Sequence, residues 1–456
     1  MKITIVGGAG ARVPLVTNGL LRFREELKTE ELSLWDIDET KRQTVAHISR
    51  AMVGRFGATL KISTPATLEE ALSGASFVIT SIRVGGTQGR ITDETVALSH
   101  QTLGQETVGA GGFALALRTL PVMLQYARKV SQLASDAWLV NFSNPVGIVS
   151  QALIAAGLGE RSIGVCDTPR EQFERLSSAL AVPLQEASFD YLGLNHLGWI
   201  RRILVAGRDR MPELLQSAER LREVYRIPFF EPDFLQNLGL FPTEYLYFYY
   251  RPERARRQTL ASGRTRGQQV RDLEEELMST VQQAGGKLEE VLASYDRYLA
   301  SRNATYMTVE TGRPVEEERV VEAREELYQS AAGYERIAID VMRAIESNQP
   351  AVIPVDTANH GAIADFELED AVEVPCVLNG NGVHPLAAGQ LPEPVRELAL
   401  RVKEYERLSV QAVLSRSRRI AEDALSRNPI LQSRDQARAI LGDYLEAHSP
   451  YLDYLV

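Results

Sequence analysis

Two cysteines in 456 residues, Cys166 and Cys376, leave no material for a disulfide framework. A cystine-stapled secreted scaffold is excluded, and a reducing compartment is the expectation. No stretch approaches the roughly 18 apolar residues that a membrane helix needs. Internal repeats, low-complexity tracts and collagen-like periods are missing too. Positive charge is outnumbered: 50 Lys and Arg face 60 Asp and Glu, a formal net charge of −10. A polyanion such as nucleic acid is therefore an unfavourable partner. The first residues enter an apolar strand pattern with no leader-like segment before it. The expectation is a cytoplasmic chain that engages neither membrane nor nucleic acid.

What is present is a substantial core, with 44% apolar residues, in a length that suits two or three units. The chain opens MKITIVGGAGARVPLV. Ile3 to Val6 reads as a buried strand, and Gly7, Gly8 and Gly10 let the backbone turn tightly beside a pyrophosphate. The helical pattern from Val13 to Leu21 offers its N-terminal amides to that phosphate. Counted from Gly8 the pattern is G-x-G-x-x-V, one glycine short of the dinucleotide fingerprint. A second strand, Leu32 to Trp35, ends in Asp36-Ile37-Asp38, where a carboxylate suits the ribose hydroxyls of NAD. Turn and acid together predict a dinucleotide site.

Further strands are expected at Leu60-Ile62, Phe77-Ile82, Trp138-Phe142 and Ser162-Val165, with helices near 40–55, 119–135 and 146–156. This alternation predicts an α/β fold with a parallel, Rossmann-type doubly wound sheet. Ligands of such sheets sit beyond the carboxyl ends of the strands, where Arg83, Asn144 and Cys166 fall. After about residue 195 the texture changes to short strands near 187–206 and long charged helices at 266–300 and 313–348. A Pro- and Gly-punctuated stretch at 351–387 follows. The division expected is a cofactor domain over 1–195 and a mixed α/β substrate and oligomerisation domain over 196–456.

Several side chains carry candidate chemistry. A thiolate from Cys166 and an imidazole from His196 can share a divalent metal, but two protein ligands need water or substrate oxygens beside them. Taken by spacing alone, a buried structural cysteine and an unrelated hydrogen-bonded histidine fit better. The run Phe241 to Tyr250 is rich in tyrosine, which is usually packing; a tyrosine beside a cation can also serve as a base. Gly104 to Gly112 fits a flexible loop or a glycine-lined approach to a sugar. Arg83, Arg90 and Arg266 are either solvated or grip an anion. The stretch Arg313 to Glu326 reads as a solvated helix face.

In order and spacing, IVGGAG, SIRVGG, GQETVGAGGFALALRTLP, NFSNPVGIV, GVCDTP, GLNHLGW, FPTEYLYFYY, TRG and VEVPC run through nearly the whole chain. Together they resemble glycoside hydrolase family 4, and within it the 6-phospho-β-glucosidase branch, an exception to two-carboxylate glycoside hydrolysis. The resemblance implies hydrolysis without net oxidation. NAD takes a hydride from C3 of the sugar, a base removes the C2 proton, the C1–oxygen bond breaks by elimination, and water adds before the hydride returns. It implies NAD and Mn²⁺ as cofactors, a phosphorylated sugar as substrate, and a homodimer or homotetramer.

By the same resemblance Cys166 and His196 are the metal ligands and Tyr245 is the catalytic base. Gly7, Gly8, Gly10 and Asp36 match the cofactor turn and ribose acid, with Arg12 near the pyrophosphate. Asn144 and Arg266 match substrate contacts, Arg83 a phosphate contact and Glu106 a hydroxyl contact. Two positions depart from the family pattern. Asp167 follows the cysteine where many phosphoglucosidases have Asn, and its carboxylate repels a phosphate unless it orients an arginine or a sugar hydroxyl. Ala11-Arg12 replaces small hydroxyl and aromatic residues. Three other functions share the cofactor turn: the same mechanism on an unphosphorylated β-glycoside, a simple NAD-dependent hydroxy-acid dehydrogenase, and a non-catalytic NAD-binding sensor that needs neither Tyr245 nor a metal.

Overall fold

Six short strands pair in parallel in the order β3-β2-β1-β4-β5-β6. They are β1 (Lys2–Val6), β2 (Glu31–Trp35), β3 (Lys61–Ser63), β4 (Ala75–Thr80), β5 (Trp138–Asn141) and β6 (Ser162–Gly164). Ile3 sits opposite Leu32 and Ile5 opposite Leu34. All four are buried, as are Phe77, Val78 and Ile79 on β4, because helices cover both sheet faces. The order is that of the dinucleotide-binding fold, with its switch point between β1 and β4. The expected α/β, doubly wound architecture is borne out. This computed structural model describes residues 1–225, 227–313 and 334–456.

The sheet does not end with β6. β11 (Ala351–Ala358) joins β6 through the pair Asp356–Gly164, and antiparallel strands continue outward. These are β12 (Ala371–Asn379), β7 (Ala187–Leu194), β8 (Leu197–Val205) and β10 (Phe241–Pro242). β9 (Arg208–Asp209) and β13 (Gly382–Pro385) attach to β8 and β12. One sheet therefore runs through both halves of the chain. Strands expected near 187–206 and 351–387 supply its antiparallel part.

Some local expectations shift. Gly109 to Gly112 is the first turn of a helix, Gly109–Leu133, and not a flexible loop. A Cβ at Gly112 would fall 2.4 Å from the Thr107 carbonyl carbon, so the glycines let this helix start hard against the 104–107 segment. The helix expected over 266–300 is two helices, Arg266–Ala284 and Leu288–Ala304. Gly285, at φ +56°, turns the chain between them. Of the helix expected over 313–348, Tyr334–Ser347 is described. Beyond Arg313, the charged stretch to Glu326 lies outside the described residues. Among the described residues no helix is long and apolar enough to cross a membrane.

Candidate active site

The turn after β1 is built by backbone contacts. Gly7 has φ +99°, and a Cβ there would lie 2.3 Å from the Ser81 carbonyl oxygen. A Cβ at Gly8 would lie 2.9 Å from the Trp35 nitrogen. The Gly7 and Gly8 amides both donate to the Trp35 carbonyl, at 3.0 and 2.9 Å, and Gly10 donates to Gly7 at 3.2 Å. These glycines shape the turn while their own amides face inward. The helix Val13–Arg22 starts directly after it, with Pro14 in its first turn. Asp36, at the end of β2, accepts from the Ala9 amide at 3.0 Å and the Asp38 amide at 2.9 Å. Burial pushes its carboxyl up against those two donors. The carboxylate, with four lone-pair sites, keeps one for a ribose hydroxyl. The residues present fit a bound dinucleotide.

The β7–β8 hairpin turns at Asn195-His196, with Leu194 paired to Leu197 and His196 at φ +60°. This places the His196 ring against Cys166, which follows β6: Nε2 lies 3.4 Å from Sγ. On its other side, His196 Nδ1 lies 2.8 Å from Thr107 Oγ1. The Thr107 hydroxyl donates to Gln105 Oε1 at 3.0 Å, an oxygen that also accepts from the Thr107 and Val108 amides. Thr107 must then accept from His196, so the proton sits on Nδ1 and the Nε2 lone pair faces Cys166. Burial, opposed by Asp167 and Glu106, lowers the imidazole to about 4, which keeps it neutral. Burial, with Glu373 and Asp167 adding to it, pushes the Cys166 thiol well up. A thiolate here needs a cation beside it.

The 3.4 Å gap suits such an ion, since Zn²⁺-type bonds run about 2.3 Å to sulfur and 2.0–2.1 Å to nitrogen. Among the described residues no group of three His, Cys, Asp or Glu is placed to hold a metal. Cys166 and His196 thus offer two ligands, and the other positions of an ion's shell would fall to solvent or substrate oxygens. Tyr245 stacks on the His196 ring, with centroids 3.7 Å apart and planes 4° from parallel. Its hydroxyl lies 3.4 Å from that of Tyr306, which donates to Glu244. Burial and the Glu244 charge push the Tyr245 phenol up. Burial and Glu171 push Glu244 up to about 7, against the Tyr306 hydrogen bond.

A chain of alternating charges lies beside this centre. Arg83 pairs with Glu106, and Arg90 bridges Glu106 and Glu94 at 2.7 Å each. Burial works against the Glu106 charge, but Arg83 and Arg90 win and hold its carboxyl well below the usual range. Among the described residues, the buried Arg83 Nη1 atom has no hydrogen-bond partner. The capping box of Thr265 and Gln268 starts the helix that carries Arg266. Arg266 donates to Thr305 Oγ1 at 2.8 Å and to the Thr305 and Arg302 carbonyls. Burial, and after it neighbouring Arg302, lower Arg266 to about 10. Asp167 pairs elsewhere, with Arg12 at 3.1 Å, across the mouth of the β1 turn. Asn144 follows β5, where Asn141 Oδ1 accepts from Thr80 and from the Ser143 amide, at 2.9 Å each.

Comparison with known proteins meets this geometry. The family described as "Family 4 glycosyl hydrolase" matches residues 2–182, and its C-terminal domain matches residues 191–431. The chain belongs to family 4 of the glycosyl hydrolases. It is 30% identical to a probable 6-phospho-beta-glucosidase of Bacillus subtilis, over 99% of this chain and 97% of that one. A structure of the Thermotoga maritima 6-phospho-beta glucosidase with manganese, NAD⁺ and glucose-6-phosphate superposes at a TM-score of 0.80. That protein is 26% identical, with 99% of each chain covered. A 6-phospho-alpha-glucosidase from gut microorganisms, in complex with NAD and glucose-6-phosphate, gives 0.81 at 25% identity, covering 99% and 98% of the chains.

Within this family 4 chain, several site residues carried no signal that sequence reasoning used. Thr107 stood in the quoted GQET segment, yet its bond to His196 joins residues 89 apart. Glu244 lay inside the tyrosine-rich run, next to Tyr245 and unremarked. Tyr306 has no motif and arrives from the end of another helix. Behind His196, Glu373 accepts from Asn195 Nδ2 at 3.1 Å and from the Tyr191 hydroxyl, bracing the hairpin. The acid of VEVPC, in the last family segment, was the available pointer to it.

Proposed function

We propose that this enzyme hydrolyses 6-phospho-β-glucosides in the cytoplasm, using NAD and Mn²⁺. The observation that carries the reading is the His196 ring, stacked on Tyr245 and held with Nε2 toward Cys166. When bound, NAD supplies transient oxidation at sugar C3, and the divalent ion supplies positive charge for the C2 and C3 oxygens and for a Tyr245 phenolate. Tyr245 Oη takes the C2 proton and later returns one. The aglycone leaves C1 by elimination, and water adds there. Thr107 keeps His196 in the tautomer that presents Nε2. Asp36 receives the ribose hydroxyls, and Gly7, Gly8 and Gly10 bring the backbone to the pyrophosphate. Arg12 serves the same anion while its pair with Asp167 turns that carboxylate away from the sugar phosphate.

Arg83, whose Nη1 has no hydrogen-bond partner among the described residues, and Arg266 take the 6-phosphate; Glu106 and Asn144 hold sugar hydroxyls. Residues 1–195 bind the cofactor, and 196–456 provide substrate contacts and the surface of a homodimer or homotetramer. The test compares phosphorylated and plain β-glucosides with and without NAD⁺ and Mn²⁺. The phosphorylated sugar should show the higher kcat/KM, and Arg83→Ala or Arg266→Ala should erase most of that preference. Better turnover of the plain glucoside, with both variants indifferent to phosphate, removes the substrate assignment and leaves the family in place.

Asp36→Ala should weaken NAD⁺ binding by about 1.5–3 kcal/mol, the range for hydrogen bonds to charged groups. The variant also frees the Ala9 amide from its 3.0 Å bond and so loosens the turn. Calorimetric titration reads the affinity. An unchanged value would refute the ribose role of Asp36.

A further inference from the structure

A base that accepts the C2 proton must also be able to lose it. The Tyr245 ring is covered on one face by His196 and flanked by Phe248, with ring centroids 3.7 and 6.0 Å away. Its hydroxyl faces the hydroxyl of Tyr306 at 3.4 Å. That is long for an O–H···O bond, as catalytic contacts often are before substrate closes the site. Tyr306 has a single hydroxyl hydrogen, and it goes to the Glu244 carboxylate. The lone pairs of Tyr306 are then what Tyr245 meets, so the donor order runs Tyr245 to Tyr306 to Glu244. Glu244 is itself only half-buried.

We propose that Tyr306 and Glu244 form a proton path between Tyr245 and solvent, through which the proton taken from sugar C2 exchanges with water. The inference rests on Tyr245 being the C2 base. A proton leaving Tyr245 Oη passes to Tyr306 Oη as the Tyr306 proton passes to a Glu244 oxygen. Tyr245 is left as a phenolate, Tyr306 is neutral as before, and Glu244 becomes a carboxylic acid; net charge is conserved. Glu244 releases its proton to water, and the reverse sequence brings a solvent proton to Tyr245. Tyr306 and Glu244 act through Tyr245 and are positioning residues for it.

The experiment uses the holoenzyme with NAD⁺ and Mn²⁺ and a 6-phospho-β-glucoside deuterated at C2, turned over in ordinary water. Wild type should be slowed by the C2 deuterium and should release product that has lost it. Tyr306→Phe keeps the ring and removes the path, so most of its product should retain deuterium, returned from Tyr245. Its kcat should fall about ten- to a hundredfold, below the full worth of a positioned base, at unchanged NAD⁺ affinity. Glu244→Gln keeps the side-chain shape and should show the same retention, which carries the test alone if Tyr306→Phe does not fold. Loss of label in both variants as complete as in wild type overturns the path and leaves Tyr245 as base. A rise only in KM for Glu244→Gln, with label lost, makes Glu244 a sugar contact and also overturns the path. Wild-type product that keeps its deuterium despite slowing by the isotope overturns the path alone. Retention with no slowing removes the C2 base itself.

Discussion

Tyr245→Phe should fold as wild type does and lose about 10²–10⁴ in turnover, the usual worth of a positioned acid or base. The change removes one hydroxyl. The ring remains free to stack on His196 at 3.7 Å, so packing in the pocket is preserved. What disappears is the only atom of this side chain that can hold a proton. The same chemistry has an isotopic signature in the unaltered enzyme. Elimination through C2 requires that proton to leave, so product formed in D₂O should carry deuterium at C2. Direct displacement at C1 would leave C2 untouched. Full activity of Tyr245→Phe, or wild-type product without C2 deuterium together with no slowing by a deuterium label at C2, would sink the assignment.

The second large effect concerns the metal. Cys166→Ser and His196→Ala should each abolish Mn²⁺-dependent turnover while NAD⁺ binding largely survives. The two side chains hold opposite sides of a 3.4 Å gap, and among the described residues no cluster of three metal-ligating side chains stands ready to replace either. Serine keeps the volume of the site but supplies a far poorer anion, because the ligand form of cysteine is the thiolate. His196→Ala removes the imidazole ligand together with the stacking partner of Tyr245. The cofactor turn after β1 shares only a border with this centre, through the Arg12–Asp167 pair. Mn²⁺ titration and NAD⁺ titration of the same variants separate the two sites. Full activity of chelator-treated wild type without added metal would end the metal role.

The glycine turn, the acid after β2 and the alternation of apolar runs were legible because each is a local pattern. A buried parallel strand must be apolar on both faces, and a tight turn under a neighbouring strand must lack a Cβ. The family motifs extended that legibility to Cys166, His196 and Tyr245. Gly109 to Gly112 misled for a physical reason: the composition of a loop also suits a helix that starts against another backbone. Gly285 was the opposite case, a breaker inside a helical pattern that was read through.

By itself, then, the sequence determined the six-stranded parallel half and the glycine turn after β1, and it supplied the side chains proposed to react, since strand burial, turn sterics and ligand chemistry act over a few residues. Only the tertiary structure decided that β11, β12, β7, β8 and β10 extend the same sheet. It alone set Arg12 against Asp167, Arg83 and Arg90 on Glu106, the proton on His196 Nδ1, and Tyr306 between Tyr245 and Glu244. Each of these depends on which side chains meet after segments 16 to 192 residues apart have packed. A hydrogen bond or ion pair is specified by that meeting, at distances near 3 Å, and no run of neighbouring residues encodes it.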